Sequence, residues 1–168
     1  RLSTGGPLGG GFAHTLQLYH QERDGYINDP TLGRAINDRS LTGGMDNLFW
    51  KPAADTEVLL RVLAETADDG AQRLSLLGSP DPYVVQSDEP GCNDMERVQV
   101  SLHFTKDAEW GRFKSITAWQ EWKLDPNITD LDMMALGPVF NMRSTIYQDQ
   151  RVWSQELRWE SPEESAPW

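Results

Sequence analysis

The sequence predicts a mainly β fold, an antiparallel sandwich or closed barrel of about seven or eight strands with long irregular loops. Three observations predict it. Apolar residues recur at every second position in several segments, the period of a half-buried strand. The 14 glycines and 10 prolines gather between those segments rather than inside them. A hydrophobic fraction of 38% with seven tryptophans is enough for a core, which argues against wholesale disorder.

Along the chain, Arg1–Gly11 (RLSTGGPLGGG) is too glycine-rich and too weakly apolar for a signal-peptide core and reads as a flexible lead-in. Residues 12–159 read as a single β-rich domain. Phe12–Tyr19 alternates, with Phe12, Leu16 and Leu18 on one side and Thr15, Gln17 and Tyr19 on the other. Glu22–Asn47 holds repeated Asp-Gly, Asn-Asp and Gly-Gly signals and reads as a long loop with short turns or a functional flap. Glu57–Leu77 reads two ways. Val58, Leu60, Val62 and Ala64 with Asp68-Asp69-Gly70 suit a β-hairpin. Pro52 as a first-turn residue and Glu57–Arg61–Glu65 at i, i+4 suit a helix near 52–66, which would make the fold α+β.

Ser79–Asp94 carries three prolines and the lone Cys92, and reads as irregular. The clearest strand is Glu96–Thr105. Its even positions Val98, Val100, Leu102 and Phe104 are apolar, and its odd positions from Arg97 to Thr105 are polar. Phe113–Leu124, rich in aromatic and β-branched residues, follows as its hairpin partner. Asp125–Pro138 reads as irregular with room for one helical turn. Val139–Tyr147 and Arg151–Trp159 read as a last hairpin turning at Gln148-Asp149-Gln150, and residues 160–168 as a loose acidic tail.

Fifteen Lys and Arg stand against 26 Asp and Glu, a net charge of −11. That balance disfavours nucleic acid and anionic membrane surfaces as partners. No apolar run approaches the roughly 20 residues of a membrane helix, so no direct membrane insertion is expected. The excess acid lies in loops and tail, which points to cation-binding loops or a basic partner at one rim.

No catalytic residue is nominated. His14, His20 and His103 read as surface or rim histidines, since His14 and His20 on one straight strand stand about 20 Å apart. A Cys92–His103 nucleophile pair is conceivable, against the plainer reading of an inert thiol. No phosphate-loop or zinc-protease spacing occurs. The most specific chemical suggestion is Ca2+. Asp125, Asn127, Thr129 and Asp132 place oxygen-bearing side chains in one short loop, as a hard cation requires. The EF-hand glycine and bidentate glutamate are replaced by Asp130 and Leu136, and an Asx-turn cluster explains the same residues. Asn127-Ile128-Thr129 is also a glycosylation sequon.

Six of the seven tryptophans follow residue 109. On a straight strand Trp119 and Trp122 point to opposite faces, so one of them is a candidate exposed contact. With Trp110 on the hairpin tip Lys106–Gly111, these three form the candidate binding surface, beside the plainer reading of core-filling. The function expected is that of a non-enzymatic structural or assembly subunit, extracellular or particle-associated, acting through protein contacts or self-assembly. The alternatives are a β-barrel or sandwich binding a small apolar or glycan ligand, and a barrel-type isomerase or dehydratase without a sequence motif.

Overall fold

The computed structural model describes residues 1–71, 73, 75, 78–132, 134, 135 and 140–162. The chain is mainly β, as predicted. Its strands are β1 (Leu2–Gly9), β2 (Phe12–Arg23), β3 (Ile27–Asp29), β4 (Arg34–Ile36), β5 (Arg39–Ala53), β6 (Thr56–Asp69), β7 (Cys92–Ala108), β8 (Gly111–Asp130) and β9 (Arg143–Glu160). Seven of them form one antiparallel sheet in the order β1-β2-β5-β6-β7-β8-β9. β3 and β4 pair separately.

The large sheet is a plain meander of long strands, reaching 17, 20 and 18 residues in β7, β8 and β9. It is neither a sandwich nor a closed barrel. Among the described residues each of its strands touches only its hydrogen-bonded neighbours, so no second layer covers it and β1 does not meet β9. The exposed surface is 11301 Å², against about 8,400 Å² for a globular monomer of this mass. The buried apolar core is small. Ile27, Ile36 and Val85, with Leu32 against them, lie under the β3–β4 hairpin rather than under the sheet.

Several local expectations are corrected. Leu2–Gly9 pairs with β2 and is no flexible lead-in; Gly9, Gly10 and Gly11, all at positive φ, make the tight turn between the two strands. The region 52–66 is strand, not helix, because Val58, Leu60 and Val62 follow the period of the sheet. β6 continues unbroken through Asp68-Asp69, and its hairpin partner is β5, across Ala54-Asp55, rather than a strand within 70–77. Gln148-Asp149-Gln150 is no turn either. It lies inside β9, opposite Trp122, Lys123 and Leu124. The flap in 22–47 narrows to 24–38, since β2 and β5 take both its ends. The tail beyond residue 162 lies outside the described residues.

The connections sort by end. The turns Gly10-Gly11, Ala54-Asp55 and Glu109-Trp110 all lie at one end of the strands, and the β2–β5, β6–β7 and β8–β9 connections all leave and re-enter the sheet at the other. An antiparallel meander imposes that sorting, and here it separates tight turns from long loops.

Candidate functional site

Register assigns every side chain of the sheet to a face, because directly paired residues project to the same side. On one face the rows run Phe12–Trp50–Val58–Phe104–Ser115–Leu157, then His14–Leu48–Leu60–Leu102–Thr117–Gln155, then Leu16–Asp46–Val62–Val100–Trp119–Trp153. A fourth row, Leu18–Gly44–Ala64–Val98, passes into Glu121 and Arg151. Nearer the turns a mixed row, Thr56–Lys106–Phe113–Trp159, adds two aromatic residues to the band, and towards the loops Thr66, Glu96, Lys123, Asp68 and Asp94 end it. Leu102, Trp153, Leu157 and Trp159 are among its exposed members.

Three of the polar groups inside this band bond one another, while Asp46 Oδ1 is buried there without a hydrogen-bond partner. Thr117 Oγ1 donates to Gln155 Oε1 at 2.6 Å, and Gln155 Nε2 donates to Ser115 Oγ at 3.0 Å. His14 Nδ1 lies 3.8 Å from Asp46 Oδ1. Aromatic rings collect at the turn end. Phe12 stacks on Trp50 at 5.3 Å, Phe104 lies 6.5 Å from Phe113, and Trp110 lies 6.2 Å from Trp159.

The opposite face mixes charged and polar residues with Leu59, Leu63 and Phe49. At its centre Tyr19 donates to Glu65, which also accepts from Arg97. Burial first, and Glu65 second, push the Tyr19 phenol up to about 12. Gly43, paired with Tyr19, leaves room for the ring, since a Cβ there would meet Tyr19 Cζ at 2.8 Å. Arg61 Nε donates to Asn47 Oδ1 at 2.7 Å. His103 sits beside Ser101 on this face, and burial, with Arg61 adding, lowers its pKa.

At the loop end of this polar face lies a cleft of about 730 Å³ lined by Arg23, Tyr26, Arg39, Asp69, Arg73 and Asp130, among others. The β3–β4 hairpin and residues 83–87 form a folded pad beside it. Asn28 N donates to Tyr83 O at 2.8 Å, and Val85 N donates to Asn28 O at 3.1 Å. The wholly buried Asp29 carboxylate accepts from the backbone N–H groups of Thr31, Leu32 and Ser87, at 2.9, 3.1 and 2.8 Å. Arg73 donates to Ser87 Oγ at 3.3 Å and to the Glu89 carbonyl. The Arg23 guanidinium stacks 4.6 Å over Tyr26.

The structure separates the predicted cation ligands. Asp125 lines a second cleft beside Asp68 and Asp94, on the outer side of the acidic rows. Asn127 Nδ2 donates to Asn93 Oδ1 at 2.7 Å, with Thr129 Oγ1 3.4 Å from Asn127 Oδ1. The Asp132 carboxylate accepts from Met134 N and Met142 N. Of the predicted set only Asp132 joins a carboxylate cluster, with Asp88 and Asp130, whose ligand atoms lie within 4.8 Å of one another. The sequence reading missed Asp88, because it arrives from a loop that nothing in local spacing ties to residue 130.

The tryptophans divide as the strand period requires. Trp119 lies on the apolar face, 6.4 Å from Trp153, and Trp122 lies on the polar face opposite Arg97. Trp110 stands at the β7–β8 turn. The three therefore form no single patch. Cys92 and His103 stand at different heights of one strand, the thiol against the Pro126 carbonyl and the imidazole against Ser101, so they make no nucleophile pair. His14 and His20 bond different partners, Asp46 and Thr42. No known family model matches the chain, and no solved structure matches it.

Proposed function

We propose that this chain builds part of the wall of a transmembrane β-barrel of the outer-membrane type, with a polar interior that passes polar solutes and a loop-side mouth that meets them first. The observation carrying this reading is the shared phase of the sheet. On β6 and β7 the same face is apolar over four consecutive rows, β2, β5, β8 and β9 continue it with polar breaks at His14, Asp46, Ser115, Thr117 and Gln155, and among the described residues nothing packs against it. The band covers five rows, about 27 Å along the strands and about 21 Å along the axis at the usual barrel tilt. That approaches the height of the outward apolar band of such barrels, about 25 Å. β6, β7, β8 and β9 each contribute about nine residues to it and β2 and β5 about seven, where a tilted spanning strand needs about 9–11.

Three further features agree. Tight turns at one end and long loops at the other are the arrangement of outer-membrane barrels, whose apolar band is flanked by aromatic residues as it is here at the turn end. An antiparallel ladder satisfies backbone polar groups without water, as hydrocarbon demands. Ser115, Thr117 and Gln155, three of the polar intrusions, bond one another. No helix among the described residues is long and apolar enough to cross a membrane. A spanning strand needs only alternation, so that criterion leaves insertion as strands open. The excess of β7, β8 and β9 over membrane thickness lifts the charged rows and the loop pad beyond the bilayer on one side. The expected role in assembly is kept, its contacts now being strand edges and lipid.

Lipids brominated at mid-acyl positions test the reading, in bilayers holding variants that keep Trp119 or Trp122 as their single tryptophan. Trp119 should be quenched several-fold more strongly than Trp122, with aqueous acrylamide reversing the order. Equal acrylamide quenching of both, with no bromine effect, removes the proposal.

A further inference from the structure

The two open edges of the sheet specify what closes it. Seven strands in an antiparallel meander leave β1 and β9 running the same way, both towards the turn end. They cannot zip to each other antiparallel, however the sheet curls. We infer that the wall is closed by an odd number of further antiparallel strands, and that a second copy of residues 1–168 does not supply them. Two copies related by an axis along the barrel would set β9 of one against β1 of the other in parallel. Two copies related by an axis across it would pair β9 with β9 antiparallel, but would send the tight turns of the two copies to opposite membrane faces. The last step rests on the membrane-barrel reading, whereas the parity of the strands does not.

The edge also states the chemistry of its neighbour. β9 is exposed along nearly its whole length. Trp153, Leu157 and Trp159 fall on the apolar face, while Arg151 ends the fourth row of the band and Asp149 lies above it. The other face of β9 presents Arg158, Glu156 and Ser154. The partner is therefore a polypeptide strand running from the turn end to the loop end. It is apolar at alternate positions opposite Trp153 and Leu157, polar between them, and polar again opposite Asp149. Nothing but another strand fits, because an edge of unpaired N–H and C=O groups is intolerable in hydrocarbon.

A photocrosslinking scan tests this in the native envelope, with benzoylphenylalanine placed singly at consecutive positions from Val152 to Leu157. The expected adducts join β9 to one peptide outside residues 1–168, and the joined position moves backwards along that peptide as the probe moves forwards. Adducts to a second copy of residues 1–168, or to lipid alone at every position, overturn the inference. A proline pair gives a second measurement, because adjacent residues of a strand bond to opposite neighbours. Ser154→Pro and Gln155→Pro should both abolish the protease-resistant barrel, whereas survival of either marks a free edge. Loss of the tryptophan contrast described above would sink the membrane reading while leaving the antiparallel adduct pattern to be judged on its own.

Discussion

Tyr19 shows how one side chain is built into the polar face. A phenol in the middle of a sheet needs a neighbour without a Cβ, and Gly43 supplies it from the paired position. The same phenol donates a hydrogen bond to Glu65, which Arg97 holds in place. Burial disfavours the phenolate, and removing the proton would also strand it beside a carboxylate, so the pKa rises from 10.0 to about 12. The stability consequence has a definite sign. Between pH 10 and about 12 the folded chain holds a proton that the unfolded chain has released, so stability falls as pH rises through that window. Alkaline titration read at the Tyr19 ring should find it still protonated well above pH 10, and Glu65→Gln should lower its ionisation part of the way back. Ionisation of Tyr19 near 10 in the folded protein would refute this account of the site.

At the scale of the strand, phase is everything, and β7 gives the cleanest comparison because it is flanked on both sides. Leu102 lies in the middle of the apolar band, and its neighbour Ser101 lies on the polar face. Leu102→Arg should cost about 2–4 kcal/mol in a membrane-inserted barrel, the penalty of a cation at mid-depth on the lipid side. Gln99→Arg, three residues away on the polar face, should cost clearly less, because its half-buried side chain enters a face that already carries Arg97 and Arg61. Urea titrations of the folded barrel in lipid measure both, and equal losses would contradict the assignment of faces. This phase was legible in Glu96–Thr105 from sequence alone, since alternation there is uninterrupted. It was misread in β9, where Gln148-Asp149-Gln150 imitates a turn. Those residues are polar because they stand above the apolar band, level with Lys123, and not because the chain reverses. The lack of a second layer was not legible, since a strand with one apolar face looks the same whether protein or lipid covers that face. The carboxylate cluster was half legible. Asp132 sits in a suggestive run, but its partner Asp88 arrives from a distant loop.

The whole molecule divides into two parts held by different forces. The wall has few buried side chains and depends on backbone ladders and on whatever covers its apolar face. The loop pad, by contrast, has a small water-excluding core of Ile27, Ile36 and Val85, pinned by the Asp29 carboxylate. Parts with separate sources of stability should open separately. Asp29→Ala leaves three backbone donors without their acceptor, each at about 1–3 kcal/mol if water does not replace it. The substitution should open the pad while sparing the wall, because β3 and β4 belong to no ladder of the large sheet. Limited proteolysis of the full chain in lipid should then cut within 24–36 or 78–90 many-fold faster than in the parent, with the heat-induced loss of the folded band unmoved. If that band were lost at a lower temperature in step with the new cuts, pad and wall would be one cooperative unit. The pad would then be a fastening of the sheet, where we read it as a structure mounted at the mouth beside the Arg23, Arg39 and Arg73 cleft.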